Sequence, residues 1–211
     1  MVKQEIETIF LINNINNKEI INFLKENGYQ VNQSQKKKSQ LKKYLYFDTP
    51  NKDLLKTNYI FRIRLKKSEK GEHKVTYKIP IEQNNDYINK KEIELKFMGE
   101  PTIENALFKF KKQYPRVKIP KDLKQVVNLE KARETYHLVD GNNLFEITFD
   151  NAVAINPLNG EKRLLPKEME IEILKASIES LIKVKKLILN FNREITLCQK
   201  SKYQLATEMF L

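Results

Sequence analysis

Three glutamates, Glu168, Glu170 and Glu172, alternate with Met169, Ile171 and Ile173 in residues 167–174. A period of two is a strand period, so one face of this segment is apolar and the other carries only carboxylate. Like charges in a row on one strand face repel unless water, a cation or opposing bases neutralise them. The fold must either leave that face wet or bring counter-charge to it.

The rest of the chain supplies counter-charge in the same rhythm. Glu5 and Glu7 share a face with Ile9 and Leu11, opposite Ile6, Phe10 and Ile12. Arg62 and Arg64 oppose Phe61, Ile63 and Leu65, while Lys74, Thr76 and Lys78 oppose Val75, Tyr77 and Ile79. Lys90, Glu92, Glu94 and Lys96 oppose Ile93, Leu95 and Phe97, and Glu146, Thr148 and Asp150 oppose Phe145, Ile147 and Phe149. An open sheet with one wet face would explain any single strand of this kind. Bases on the central strands and acids on the first and late ones suit a different arrangement, a closed antiparallel barrel whose charged faces meet at one axis.

The intervening segments read as turns and covering helices. Asn16 or Asn17 caps a helix through Ile20, Ile21, Phe23 and Leu24 that Gly28 ends. Ile103, Ala106, Leu107 and Phe110 recur at helical spacing, residues 123–127 do so more weakly, and residues 176–191 form a long amphipathic helix. Residues 68–73 read as a hairpin turn that contains His73, and His137 falls at a strand start. Residues 200–203 remain as a short basic segment. The expected class is α+β in a single domain, residues 1–211.

Composition narrows the partners. Lys and Arg number 39 against 27 Asp and Glu, a formal charge of +12 that favours a polyanion. No segment approaches the roughly 20 apolar residues of a membrane span, which predicts a soluble, cytoplasmic protein with no membrane partner. A lone Cys198 excludes an internal disulfide or a cysteine metal cluster, and two isolated histidines make neither a metal cluster nor a catalytic triad. Lys36, Lys37 and Lys38 lack interleaved aromatics and read as a solvated loop, so nucleic acid is not expected as a partner. Carboxylates beside arginines and lysines suit a polyphosphate held with a metal. Magnesium takes carboxylate and phosphate oxygens, and guanidinium and ammonium groups neutralise the remaining phosphate charge.

In order and spacing these motifs resemble the CYTH superfamily, the triphosphate tunnel metalloenzymes, over nearly the whole chain. Glu5-Ile6-Glu7 is similar to the start of the family's Glu-x-Glu-x-Lys signature, and residues 46–50 (YFDTP) resemble the segment before its arginine strand. Arg62-Ile63-Arg64, Thr76-Tyr77-Lys78 and residues 90–94 resemble its Arg-x-Arg, Thr-x-Lys and Arg-x-Glu-x-Glu elements. Arg133, Asp150, the glutamates of residues 168–172 and residues 201–203 fall where the family has its later arginine, acids and terminal lysine.

The resemblance implies a barrel of about eight strands and a Mg2+- or Mn2+-dependent triphosphatase acting on tripolyphosphate, nucleoside triphosphates or thiamine triphosphate. It assigns Glu5, Glu7, Asp150, Glu168, Glu170 and Glu172 to metal, and Arg62, Arg64, Lys74, Lys78, Lys90, Arg133 and Lys202 to substrate. Glu5, Glu7, Lys78 and Arg133 would serve the chemical step. A class IV adenylate cyclase and a catalytically weakened polyphosphate-binding protein are the alternatives. The signature lysine is replaced by Ile9, with Lys3 on the same face as the nearest substitute, which implies reduced turnover.

Overall fold

The computed structural model describes residues 1–33, 41–66 and 71–210. Its elements are β1 (Val2–Ile12), α1 (Asn17–Glu26), β2 (Gln30–Gln33), β3 (Lys42–Asp48), α2 (Asp53–Lys56), β4 (Ile60–Arg64), β5 (His73–Gln83) and β6 (Ile88–Phe97). They continue with α3 (Ile103–Gln113), β7 (Lys124–Asp140), β8 (Asn143–Ile155), β9 (Lys162–Leu164), β10 (Glu168–Lys175), α4 (Ile178–Phe191), β11 (Ile195–Leu197) and α5 (Lys202–Glu208).

Eight strands close a barrel in the order β7-β3-β4-β5-β6-β1-β10-β8, and β8 returns to β7 through a register running from Asn128–Ile155 to Asp140–Asn143. Every pairing is antiparallel. Short β2, β9 and β11 extend the sheet beside β7, β8 and β1. The expected α+β barrel with covering helices is therefore what forms, and closure removes the unpaired edges of the main sheet.

The apolar core lies outside the barrel wall. Phe10, Phe145, Ile147, Phe149, Met169 and Ile171 pack under α1 and α4 through Ile20, Leu24, Leu181, Val184 and Ile188. Phe61, Ile63, Val75, Tyr77 and Ile93 pack under Ala106 and Phe110 of α3. Side-chain caps begin these helices: Asn16 accepts from Lys18 N at 3.0 Å, Thr102 from Asn105 N at 3.2 Å and Ser177 from Ser180 N at 3.2 Å. Gly28, at φ +87°, makes the left-handed turn after α1. With both helical layers on the outer faces, period-two alternation turns every charged face inward.

At one end the inward faces become apolar. Tyr44, Tyr46, Ile60, Val127, Leu129, Ala152 and Ala154 receive Tyr203 and Ala206 of α5, which plugs that end.

Several sequence expectations are corrected. Residues 124–127 begin the 17-residue β7, not a helix, because this strand pairs with β3 on one side and β8 on the other, and those ladders outweigh a weak helical period. His73 opens β5 opposite Phe97, buried, with Nδ1 accepting from Lys66 N at 3.3 Å. His137 stands within β7 opposite Glu146, not at a strand start. Residues 201–203 are the cap and first turn of α5, where Ser201 and Gln204 form a reciprocal capping box. The lysine run at 36–38 and turn residues 68–70 lie outside the described residues. No helix among the described residues is long and apolar enough to cross a membrane.

Candidate active site

A cavity of about 330 Å3 occupies the bore. Ten bases line it (Lys3, Lys42, Arg62, Arg64, Lys74, Lys78, Lys90, Lys131, Arg133 and Lys202) against seven acids (Glu5, Glu7, Glu92, Glu94, Glu146, Glu170 and Glu172). The bore therefore carries a positive surplus in a volume within the range of small-molecule sites.

Three groups of side chains build it. Across β1, β5, β6 and β10, Lys78 meets Glu5 at 2.5 Å, Lys90 meets Glu7 at 3.6 Å, and Lys3 bridges Glu172 at 3.0 Å and Glu92 at 3.2 Å. Glu7 and Glu172 are cross-strand partners. Burial, reinforced by Glu5 and Glu170, pushes the Glu7 carboxyl up to about 7, because Lys90 offsets only part of it. Glu172 is also raised, by burial and then Glu5. Burial acts on Glu5 in the same sense, but the charge and hydrogen bond of Lys78 together with Lys90 outweigh it, and the carboxyl ends below its usual range.

The second group is a knot of ions at the junction of β7, β8, β10 and α5. Asp150 accepts from Arg133 at 2.7 and 2.5 Å and from Lys131 at 3.0 Å, and lies 2.9 Å from the Lys202 ammonium. Glu170 accepts from Arg133 at 2.5 Å, from Thr148 at 3.1 Å and from Lys202. Glu168 takes Lys202 at 2.5 Å on one oxygen, while its buried Oε1 has no partner. Despite burial, Lys131, Lys202 and Arg133 hold Asp150 below its ordinary range, and Arg133 and Lys202 do the same for Glu170. Lys131, buried beside Arg133, falls to about 8.

The third group lies on β3, β4, β5 and β6, with Lys131 reaching in from β7. The Tyr44 ring sits between the Arg62 guanidinium, 5.1 Å from its centroid, and the Lys131 ammonium at 5.3 Å. Burial would raise this phenol, yet Lys131, Arg62 and Arg133 bring it down to about 8. Arg62 also donates to Tyr46 Oη at 3.3 Å and lies 3.8 Å from Glu92, and Lys74 pairs with Glu94. Arg62 Nε and Thr76 Oγ1, neighbours across β4 and β5, are buried without a protein partner. An unsatisfied buried donor is costly, and Arg62 lines the cavity, so its guanidinium suits an anionic ligand.

Most of the residues singled out from sequence thus come together in one bore. Glu5, Glu7, Arg62, Arg64, Lys74, Lys78, Lys90, Arg133, Glu170, Glu172 and Lys202 line the cavity; Asp150 and Glu168 stand behind it, 1 % exposed and held in the ion knot. Lys3 faces the bore, but six residues along β1, roughly 20 Å, separate it from Ile9. Ile9 lines the cavity too and packs with Ile88 and Cys198. Tyr44, Tyr46, Lys42, Lys131, Glu146 and Ser201 also line the cavity and were not singled out. Strand parity is the signal for those on strands, since Tyr44 and Tyr46 alternate with Leu45 and Phe47, and Lys131 is two residues before Arg133; Ser201 is the cap of α5 and has no such signal.

The donor set fits a hard divalent cation. The cavity lining contains carboxylates but no cysteine or histidine, and Glu7 and Glu172, raised by burial, have less counter-charge than Asp150 and Glu170 of the ion knot. No cluster of three acidic, histidine or cysteine side chains is poised to cage a metal among the described residues. Magnesium does not require one, because it is commonly held by one or two carboxylates with waters and substrate phosphates completing its shell.

Comparisons with known proteins agree with this architecture. The PH1819 protein from Pyrococcus horikoshii OT3 is 22% identical with a TM-score of 0.58, covering 97% of this chain and 99% of that one. The Hippeastrum adenylyl cyclase candidate HpAC1, described as having a dominant triphosphatase activity, is 14% identical with a TM-score of 0.56, over 97% and 96%. An adenylate cyclase candidate from Bacillus halodurans is 17% identical with a TM-score of 0.55, over 96% and 97%. No curated protein matches the chain. The CYTH domain model aligns with residues 3–205, and the chain belongs to the CYTH family.

Proposed function

We propose that this protein is a metal-dependent hydrolase of small molecules that carry a triphosphate. The observation that carries the reading is the charge of the closed bore, ten bases against seven acids, with its least neutralised carboxylates on the β1–β10 wall. A cation site alone would need a negative bore, and a simple anion site would not need buried glutamates short of counter-charge. A polyphosphate with a divalent cation satisfies both. The triphosphatase activity described for HpAC1 supports the choice at the level of the family.

Glu7 and Glu172, with Glu5 beside them, would hold Mg2+ or Mn2+, which when bound supplies charge neutralisation at the phosphate oxygens. Arg62, Arg64, Lys74, Lys78 and Lys90 line the bore as donors to those oxygens, and Arg133 and Lys202 add positive charge from the ion knot. Asp150 and Glu168 orient Arg133 and Lys202. Arg62 presents a planar fork whose Nε has no protein partner, the geometry that grips a phosphoryl group. Positioning and charge neutralisation then favour in-line attack by water on the terminal phosphorus, which departs as orthophosphate while the diphosphate part of the substrate is the leaving group, with no covalent enzyme intermediate. Tyr44 and Lys131, both brought to about 8, are suited to exchange a proton with the bore near neutrality.

Incubation with tripolyphosphate, nucleoside triphosphates and thiamine triphosphate, each with magnesium or manganese, tests the reading by product analysis. Release of orthophosphate is the expected result. Cyclic nucleotide and diphosphate from ATP would replace the proposal with the cyclase, and tight binding without products would make this a polyphosphate-binding protein.

A further inference from the structure

The bore does not account for all the charge. Residues 109–124 hold seven bases (Lys109, Lys111, Lys112, Arg116, Lys118, Lys121 and Lys124) and one acid, Asp122, which is half of the formal surplus of +12. All seven are exposed and none lines the tunnel. None is in an ion pair among the described residues. A surplus of this density, left without counter-charge on the connection from α3 to β7, is a footprint for a polyanion.

Beside it lies a concave apolar surface. A groove of about 440 Å3 is walled by Tyr59, Tyr77, Ile119 and Pro120, with Lys118 at its edge, and it shares no lining residue with the bore. Tyr59 stands at the entry to β4 with its ring 5.7 Å from that of Tyr77. The one acid in the groove, Asp53, is engaged by the Thr49 hydroxyl at 2.6 Å. Lys121 follows Pro120 directly and Lys124 comes three residues later, past Asp122, so exposed basic charge continues along the chain from the rim of the groove.

From this juxtaposition we infer that the outer surface formed by Tyr59, Ile119, Pro120, Lys118, Lys121 and Lys124 binds single-stranded nucleic acid, with one base in the groove and the adjoining phosphates on the lysines. Two features together select this partner. A basic track alone would serve inorganic polyphosphate equally, but that ligand has no use for an aromatic groove. An anionic bilayer would be met by protruding apolar side chains, not a concavity. A single strand offers a planar base beside each phosphate, and aromatic platforms flanked by bases are how such strands are held without sequence preference. The lysines at 36–38 lacked aromatic interleaving, whereas this surface has it. The inference stands whether or not the bore hydrolyses triphosphates.

The test is fluorescence anisotropy with labelled single-stranded RNA and DNA of about twelve nucleotides, a length within known site sizes. The full-length protein is compared with Tyr59→Ala and with the triple variant Lys118→Glu/Lys121→Glu/Lys124→Glu. Inorganic polyphosphate and phosphatidylserine vesicles serve as competitors, and thermal melts check folding. Contact with three or four phosphates predicts affinity falling about 20- to 50-fold as salt rises from ~50 to ~200 mM. Tyr59→Ala should weaken binding about fivefold or more, and the triple variant should remove most of it. Because the triple variant changes exposed side chains only, it keeps the test decisive if Tyr59→Ala proves unstable. Undetectable oligonucleotide binding would overturn the inference. So would affinity untouched by the triple variant, or oligonucleotide affinity equal for the native protein and a folded Tyr59→Ala.

Discussion

Glu7 is the bore residue whose surroundings suit its charge least. Its carboxyl is raised from 4.5 to about 7 by burial and by neighbouring Glu5 and Glu170. Between those two values the folded protein holds a proton that the unfolded chain has released. The stability this provides is complete below 4.5 and is lost as pH rises through 7. Glu7→Gln in metal-free protein should therefore melt higher than the native chain at about pH 8.5, by up to about 3 kcal/mol, and match it near pH 5. Thermal melts across pH check this; a pH-independent difference would contradict it. Ile9 poses the opposite case, an alkyl group on the bore face packed with Ile88 and Cys198 and paired with Glu170 across the strand. Ile9→Lys would bring an ammonium towards Glu170 at the expense of that apolar contact. Turnover should rise more than affinity while Tm falls, and steady-state kinetics with a melt would detect both. Parity and charge in the sequence sufficed to find Arg62, Lys78 and Glu170, but attention to charge alone passed over Tyr44. Its role depends on Arg62 and Lys131 flanking it from two other strands, a juxtaposition no local pattern encodes.

At the scale of elements, α5 is what the sequence concealed. Its seven residues carry too short a period to declare a helix, and its stability comes from the Ser201–Gln204 capping box and from docking. Tyr203 donates to Asp48 at 2.6 Å and stacks on Tyr46 with ring centroids 5.5 Å apart. Asp48 also accepts from the backbone of Thr49, Leu54 and Leu55, which ties α2 to the same carboxylate. Tyr203→Phe should cost about 1.5–2 kcal/mol, the lower part of the range for a hydrogen bond to a charged group, because those backbone donors remain. It should also raise KM by loosening neighbouring Lys202; a melt and a Michaelis curve test the pair of effects, and an unchanged KM would separate α5 docking from the bore. The strands show the converse. Those with strict alternation, such as β4 and β10, are legible one by one, whereas the start of β7 has a weak helical period and is held as strand by β3, far away in sequence.

For the molecule as a whole, closing the sheet turns an ordinary pattern of amphipathic strands into a concentrated electrostatic site. Barrel closure was legible only through the sum of the strands, since any one charged face could equally have been solvated. Loading the bore should stabilise the fold by mass action, so magnesium with tripolyphosphate should raise Tm, and a chelator should reverse most of the gain. The central claim is that the bore binds a metal–triphosphate through Arg62 and its neighbours. Calorimetric titration of tripolyphosphate, with and without magnesium, into the native protein and Arg62→Ala measures this most directly. One magnesium-strengthened site is expected, weakened about 10- to 150-fold by Arg62→Ala, as for a charge-assisted contact of about 1.5–3 kcal/mol. An absence of binding, or an affinity indifferent to both magnesium and Arg62→Ala, would contradict it.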